Sequence, residues 1–177
     1  MEKFQGLIQV YTGDGKGKTT AALGQGLRAA GRGFKVTMVQ FLKGRDTGEI
    51  ESVKAIENFN IHRFEESKKF IWNMNEEEIN ELKGKIEKAY NFIYKEVESN
   101  NCDILILDEI LGVLNNDLIS LDKILDLLKI KPDDVEIILT GRNIPNKLKE
   151  KANLVTEMKM IKHPFQEGIH ARYGIEY

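Results

Sequence analysis

Gly13-Asp14-Gly15-Lys16-Gly17-Lys18-Thr19-Thr20 packs three glycines, two lysines and two hydroxyls into eight positions. Glycines let successive backbone N–H groups turn toward one anion, and Lys18 adds a positive charge to the same place. The hydroxyl of Thr19, at the start of a helix, is placed to ligate Mg²⁺. That chemistry is a cradle for a polyphosphate, with ATP the natural candidate.

The segment resembles a P-loop. The usual pattern puts a glycine at the position of Thr12, with four residues between it and Gly17, and here Gly13 does that job one place later. A flexible glycine turn with solvated lysines is the plain alternative, and the flanks argue against it. A β-branched and aromatic run, Leu7 to Thr12, leads in, and an alanine- and leucine-bearing stretch, Thr20 to Arg32, leads out.

Carboxylates come next. Asp108-Glu109 follows the apolar run Ile104 to Leu107, the usual place for a metal-holding acid in a nucleotide-binding sheet. Two acids at a strand end also serve as helix caps, and chemistry alone does not say which would be nearer a metal. Thr19, Asp108 and Glu109 are the candidate ligands, for Mg²⁺ or Mn²⁺, since oxygen donors accept both. Arg142, after Gly141, is placed to reach the polyphosphate or the ribose, with solvation as the alternative; Lys43 is similar. His62 and His170 lack metal-ligand spacing, and Cys102 reads as a buried thiol. The stretch Lys68 to Met74 sets Phe70 and Trp72 in a polar context, where they either staple the following helix to the core or line a flat apolar ligand site.

These residues need a frame that brings them together. Strands are expected over Leu7–Thr12, Val36–Leu42, Phe59–Phe64, Ile104–Leu107 and Val135–Thr140. Helices are expected over Thr20–Arg32, Gly48–Asn58, Asn75–Asn100 and Leu121–Leu128. In the longest, Ile79, Leu82, Ile86, Ala89, Ile93 and Val97 recur at steps of three and four and mark one buried face. Alternating strands and helices predict an α/β fold: a mostly parallel sheet with helices on both faces, P-loop NTPase-like (RecA-like), in one domain over residues 1–177. Ligands of such sheets gather at the carboxyl ends of the strands, where the loop, Lys43, Asp108-Glu109 and Gly141-Arg142 all fall.

Bulk properties narrow the partners. The 26 Lys and Arg nearly balance the 28 Asp and Glu, giving a net charge of −2 and no broad field for nucleic acid. One cysteine precludes an internal disulfide, no apolar run is long enough for a bilayer, and the first residues do not read as a signal peptide, so a cytoplasmic protein is expected.

The ordered set Thr12 to Ala22, Val39-Gln40-Phe41-Leu42-Lys43-Gly44, Leu107-Asp108-Glu109, Leu139-Thr140-Gly141-Arg142, Val155-Thr156-Glu157-Met158, Lys162-His163-Pro164-Phe165 and Gly174-Ile175-Glu176-Tyr177 looks like the P-loop type of ATP:corrinoid adenosyltransferase. The resemblance spans nearly the whole chain. It implies transfer of the 5′-deoxyadenosyl group of ATP to the Co(I) centre of a corrinoid such as cobalamin, with triphosphate released and adenosylcobalamin formed. The nucleotide would lie reversed across the loop, its γ-phosphate in the cradle. Lys18, Thr19 and Glu109 would carry catalysis, with Gly13 to Thr20, Lys43 and Arg142 holding ATP. Phe70 and Trp72 match an aromatic pair that in relatives lies below the corrin ring, displaces the lower axial ligand and eases reduction of Co(II). An electron donor and a homodimer are implied as well. Two departures stand out: only Met1 to Gln5 precede the first strand entry, where some relatives have a helical lid, and Asp14 stands where relatives often have asparagine. Two rivals predict different products. A P-loop ATPase or kinase would yield ADP, and an ATP-binding switch docking a partner on the 75–100 helix would turn nothing over.

Overall fold

The computed structural model describes residues 4–44, 46–65 and 69–177. Six strands, Ile8–Thr12 (β1), Val36–Gln40 (β2), Phe59–His62 (β3), Ile104–Asp108 (β4), Glu136–Thr140 (β5) and Leu154–Glu157 (β6), form one sheet in the order β3-β2-β4-β5-β1-β6. Every pairing is parallel, so the expectation of a mostly parallel sheet is met in full.

The central strands read as unbroken apolar runs because both of their faces are covered. On β4, Leu105 and Leu107 enter one core with Ile86, Ile93 and Val97 of the long helix. Ile104 and Ile106 enter the opposite core with Ala22, Ala29 and Ala30 of the helix that follows the glycine loop. The helices are Lys18–Ala30 (α1), Gly48–Val53 (α2), Glu76–Glu98 (α3), Ile110–Asn115 (α4), Leu121–Lys129 (α5) and Asn146–Lys151 (α6). Asn75 and Glu78 start α3 with a reciprocal capping box, which fixes the boundary that periodicity alone leaves vague. Among the described residues no helix is long and apolar enough to cross a membrane.

Several expected boundaries shift for identifiable reasons. β2 stops at Gln40 rather than Leu42 because Leu42 turns to φ 56°, leaving the extended region. α1 starts two residues earlier than expected, at Lys18, since Gly17 in the left-handed region is its cap. The second helix ends at Val53, well short of Asn58. Neither α4, whose run Ile-Leu-Gly-Val-Leu-Asn is too uniformly apolar to show a helical period, nor the short polar α6 carries a periodic signal in the sequence. β6, quoted only as a motif, is a solvent-exposed edge strand without burial alternation.

Candidate active site

Parallel pairing in register places Thr12 beside Glu157, Tyr11 beside Thr140 and Gln40 beside Asp108, so the ends of β1, β2, β4, β5 and β6 make one rim. The glycine loop springs from this rim. Thr12 remains in β1, buried, and Gly13 takes the positive φ, 103°, that the usual first glycine would supply. A Cβ at Gly13 would lie 2.3 Å from the Met158 carbonyl oxygen, so the loop is pressed against the segment after β6. Gly15 N–H donates to Met158 O at 2.8 Å, and Asp14 Oδ1 accepts from Met160 N–H at 3.1 Å. That second bond holds the Asp14 carboxyl below its ordinary range. In this chain Asp14 therefore braces the loop from behind.

Helical bonding in α1 opens with Ala21 N–H to Gly17 O at 2.7 Å. The amides of Lys18, Thr19 and Thr20 lie before that point and face outward from a helix start, the end that attracts anions. Lys18 arches back so that its Nζ donates to Gly15 O at 2.7 Å. Burial lowers the Lys18 pKa, and nearby Arg142 pushes the same way, while Glu109, Asp14 and Asp108 oppose both. A desolvated ammonium gains strongly when an anion comes to lie against it.

Asp108 is the hub of the site. Its side chain is fully buried, and a buried carboxylate persists only where its oxygens are satisfied. Oδ1 accepts from Thr19 Oγ1 at 2.9 Å and Thr140 Oγ1 at 2.7 Å; Oδ2 pairs with Lys43 Nζ at 2.6 Å. Lys43 also donates to Thr19 Oγ1 at 3.1 Å. Of the two candidate acids, Asp108 is the one joined to Thr19. Glu109 is held differently: its backbone is left-handed at φ 63°, its N–H donates to Thr140 Oγ1 at 2.8 Å, and its carboxylate folds over Gly112, where a Cβ would come within 2.8 Å of Oε1, while its charge still acts on Lys18, Lys43 and Arg142. Burial raises the Glu109 pKa, and the Asp108 charge adds to the rise.

A second ring of polar groups escaped the sequence reading. Gln40, buried at the end of β2, donates to Glu49 Oε1 at 3.1 Å and contacts Asp108 Oδ2 at 3.4 Å. Its own oxygen accepts from Arg63 Nε at 2.8 Å, and Arg63 also donates to Thr47 Oγ1 at 2.7 Å. No motif spacing marks Arg63 or Glu49; the β2-β3 register brings Arg63 to Gln40, and α2 presents Glu49 to it. Glu65, buried just beyond β3, was likewise missed.

The other predicted residues are less central. Lys16 is exposed and reaches away from the loop, pairing with Glu176 at 2.7 Å and so tying the C-terminal stretch to the cradle. Arg142 is exposed; its carbonyl accepts from Asn115 Nδ2 at 2.7 Å. Phe70 and Trp72 lie stacked, ring centroids 4.5 Å apart, and are 53% and 78% exposed. Between and after them Ile71 and Met74 pack onto the core, so those two residues, and not the aromatic pair, fasten the entry to α3. Lys68, at the head of that stretch, lies outside the described residues.

Among the described residues no group of three or more His, Cys, Asp or Glu gathers to hold a metal unaided. Mg²⁺ on a nucleotide does not require one, since it is usually held by one or two protein ligands together with phosphates and water. The fit rests on a stand-in: the Lys43 ammonium lies between the Thr19 hydroxyl and the Asp108 carboxylate, a cation in the position the sequence assigns to a divalent one.

An all-parallel sheet with a glycine loop at its rim, a threonine hydroxyl opening α1 and a buried aspartate on the facing strand defines a P-loop nucleotide-binding protein. The fold is similar to that of the KaiC-like protein PH0186 from Pyrococcus horikoshii, with a TM-score of 0.52 and 16% identity over 86% of this chain and 72% of that one. The family described as ATP:corrinoid adenosyltransferase BtuR/CobO/CobP matches residues 4–177, and the chain belongs to it. A corrinoid adenosyltransferase from Sinorhizobium is 36% identical over 98% of this chain and 81% of its own length. One from Escherichia coli K12 is 31% identical over 98% and 86%.

Proposed function

We propose that the protein transfers the 5′-deoxyadenosyl group of ATP to the cobalt of a reduced corrinoid such as cobalamin, releasing inorganic triphosphate. The observation that carries this reading is membership of the adenosyltransferase family across residues 4–177. The Co(I) electron pair attacks ribose C5′, the C5′–O bond breaks, and its electrons leave on the triphosphate as the cobalt becomes an alkylated Co(III). No proton is removed from the nucleophile, so no general base is needed.

What the reaction needs from the protein is stabilisation of a highly charged leaving group. Lys18 and the amides opening α1 face that charge, and Lys43 and Arg142 flank it. Thr19 and Asp108 would hold Mg²⁺, which neutralises charge on the triphosphate when bound. Glu109, whose carboxyl acts electrostatically on Lys18, Lys43 and Arg142, is the second acid of the site. Phe70 and Trp72 offer an exposed aromatic surface to the lower face of the corrin, where displacing the axial ligand eases reduction of Co(II) by an external electron donor. The working unit is a homodimer, a reading supported by large apolar side chains left exposed along the C-terminal stretch, among them Ile161 at 91% and Tyr173 at 89%.

The test is an anaerobic incubation with ATP, Mg²⁺ and chemically reduced cobalamin. Decay of the Co(I) spectrum with stoichiometric triphosphate is expected. Persistent Co(I) absorbance, or ADP in place of triphosphate, would contradict the proposal and favour a phosphoryl-transfer enzyme or a non-catalytic switch.

A further inference from the structure

Glu65 is a buried carboxylate with no part in the chemistry above, and its surroundings explain why it is there. It follows β3 and lies among Phe41, Phe64, Ile86 and Ala89, with Lys85 beside them. Its Oε1 accepts the N–H of Leu42. Leu42 is the residue with φ 56°, an unfavourable conformation for a side chain with a Cβ, which persists only where its surroundings hold it. The last ladder contact before it, Phe41 N–H to Asp108 O at 2.9 Å, anchors one side of the bend, and Glu65 anchors the other. The bend turns the chain so that Lys43 comes back over the sheet rim to Asp108 and Thr19.

The geometry points to Glu65 as a positioning residue that holds the Leu42 bend and thereby keeps Lys43 over Thr19 and Asp108, where it meets the triphosphate. Lys43 has two tasks that pull against each other. Without substrate it neutralises the buried Asp108, and when metal and triphosphate arrive its side chain must swing to the anion. A fixed main chain at Leu42 lets the side chain re-aim while its base stays in place. Glu65 sits five positions before Phe70, so the same carboxylate stands at the root of the segment bearing the aromatic pair. The inference rests on the reading of Lys43 as a triphosphate contact.

The experiment measures kcat/KM for ATP with preformed cob(I)alamin for wild type, Lys43→Ala, Glu65→Leu, Glu65→Gln and the Lys43→Ala/Glu65→Leu double variant, with thermal melting of each. Leucine suits the apolar surroundings and removes only the acceptor; glutamine restores an acceptor without charge. Glu65→Leu should remain folded and lose about tenfold or more, Glu65→Gln should recover to within about threefold of wild type, and the double variant should be no worse than Lys43→Ala, since residues acting as one unit are not additive. Multiplied losses in the double variant, a Glu65→Leu enzyme as active as wild type, or a silent Lys43→Ala would each overturn the inference while the transferase reading stands. A wild type that forms no adenosylated product would overturn both.

Discussion

Asp108 shows how one residue's neighbours decide its task. Its charge is tolerated in the sheet interior because Thr19, Thr140 and Lys43 satisfy it, and two of those three, Thr19 and Lys43, are also the groups proposed to meet a metal–nucleotide complex. Lys18 is the complementary case, a desolvated cation whose hydrogen-bond partner among the described residues is its own loop carbonyl. Replacing it with alanine should cost about 3 kcal/mol of transition-state stabilisation, on the order of 10²-fold in kcat/KM, as single donors to a developing anion commonly do. Steady-state kinetics with preformed Co(I) measures this directly, and a loss below about threefold would remove Lys18 from the leaving-group site.

Glu65 gives a pH dependence with a definite sign. Burial pushes its carboxyl up to about 7, from 4.5 in an open chain. The native state therefore holds a proton that the unfolded state has released across that window. Its stabilising share is full below pH 4.5 and is lost as pH rises toward 7. At about 1.4 kcal/mol per pH unit, the upper bound is about 3 kcal/mol. Urea denaturation at several pH values should show wild type weakening relative to Glu65→Gln across the window, with a constant gap above it. Parallel curves for the two proteins would mean that Glu65 titrates normally.

At the scale of elements, the segment between β3 and α3 separates two jobs that its sequence runs together. Ile71 and Met74 fasten it to the core, leaving Phe70 and Trp72 free as a stacked pair. Replacing both aromatics with alanine should therefore leave melting nearly unchanged. It should impair turnover from Co(II) under mild reduction much more than turnover from preformed Co(I). Equal losses in the two assays would assign the pair to packing.

The same element shows where sequence reading succeeds and where it stops. The long apolar runs of β4 and β5 and the spaced apolar face of α3 are legible because burial on two faces, or on one, leaves a period. The glycine loop and Asp108 are legible because local chemistry demands those residue types at those positions. Arg63, Glu49 and Glu65 were not, since their relevance arises only from tertiary placement: β3 pairs beside β2, which brings Arg63 to Gln40 and Glu65 to Leu42, and α2 sets Glu49 against Gln40. The stacking of Phe70 on Trp72 was also hidden, because spacing of two is as consistent with a staple as with a platform.

Across the whole molecule, a sheet that in many P-loop proteins serves the β–γ phosphate bond is here assigned to a different bond of the same nucleotide. The cradle, the Thr19–Asp108 pair and Lys43 are all proposed to grip polyphosphate, and nothing about such a grip dictates which end of it departs. On the proposed function the choice belongs to the nucleophile, a Co(I) centre that seeks carbon. Oxygen labelling reads that choice in one measurement. ATP carrying ¹⁸O at the oxygen bridging C5′ and the α-phosphorus is turned over with cob(I)alamin, and the products are weighed by mass spectrometry. Attack at C5′ predicts the label in inorganic triphosphate and none in the adenosylated corrinoid; label recovered in ADP, with unlabelled phosphate beside it, would contradict the account.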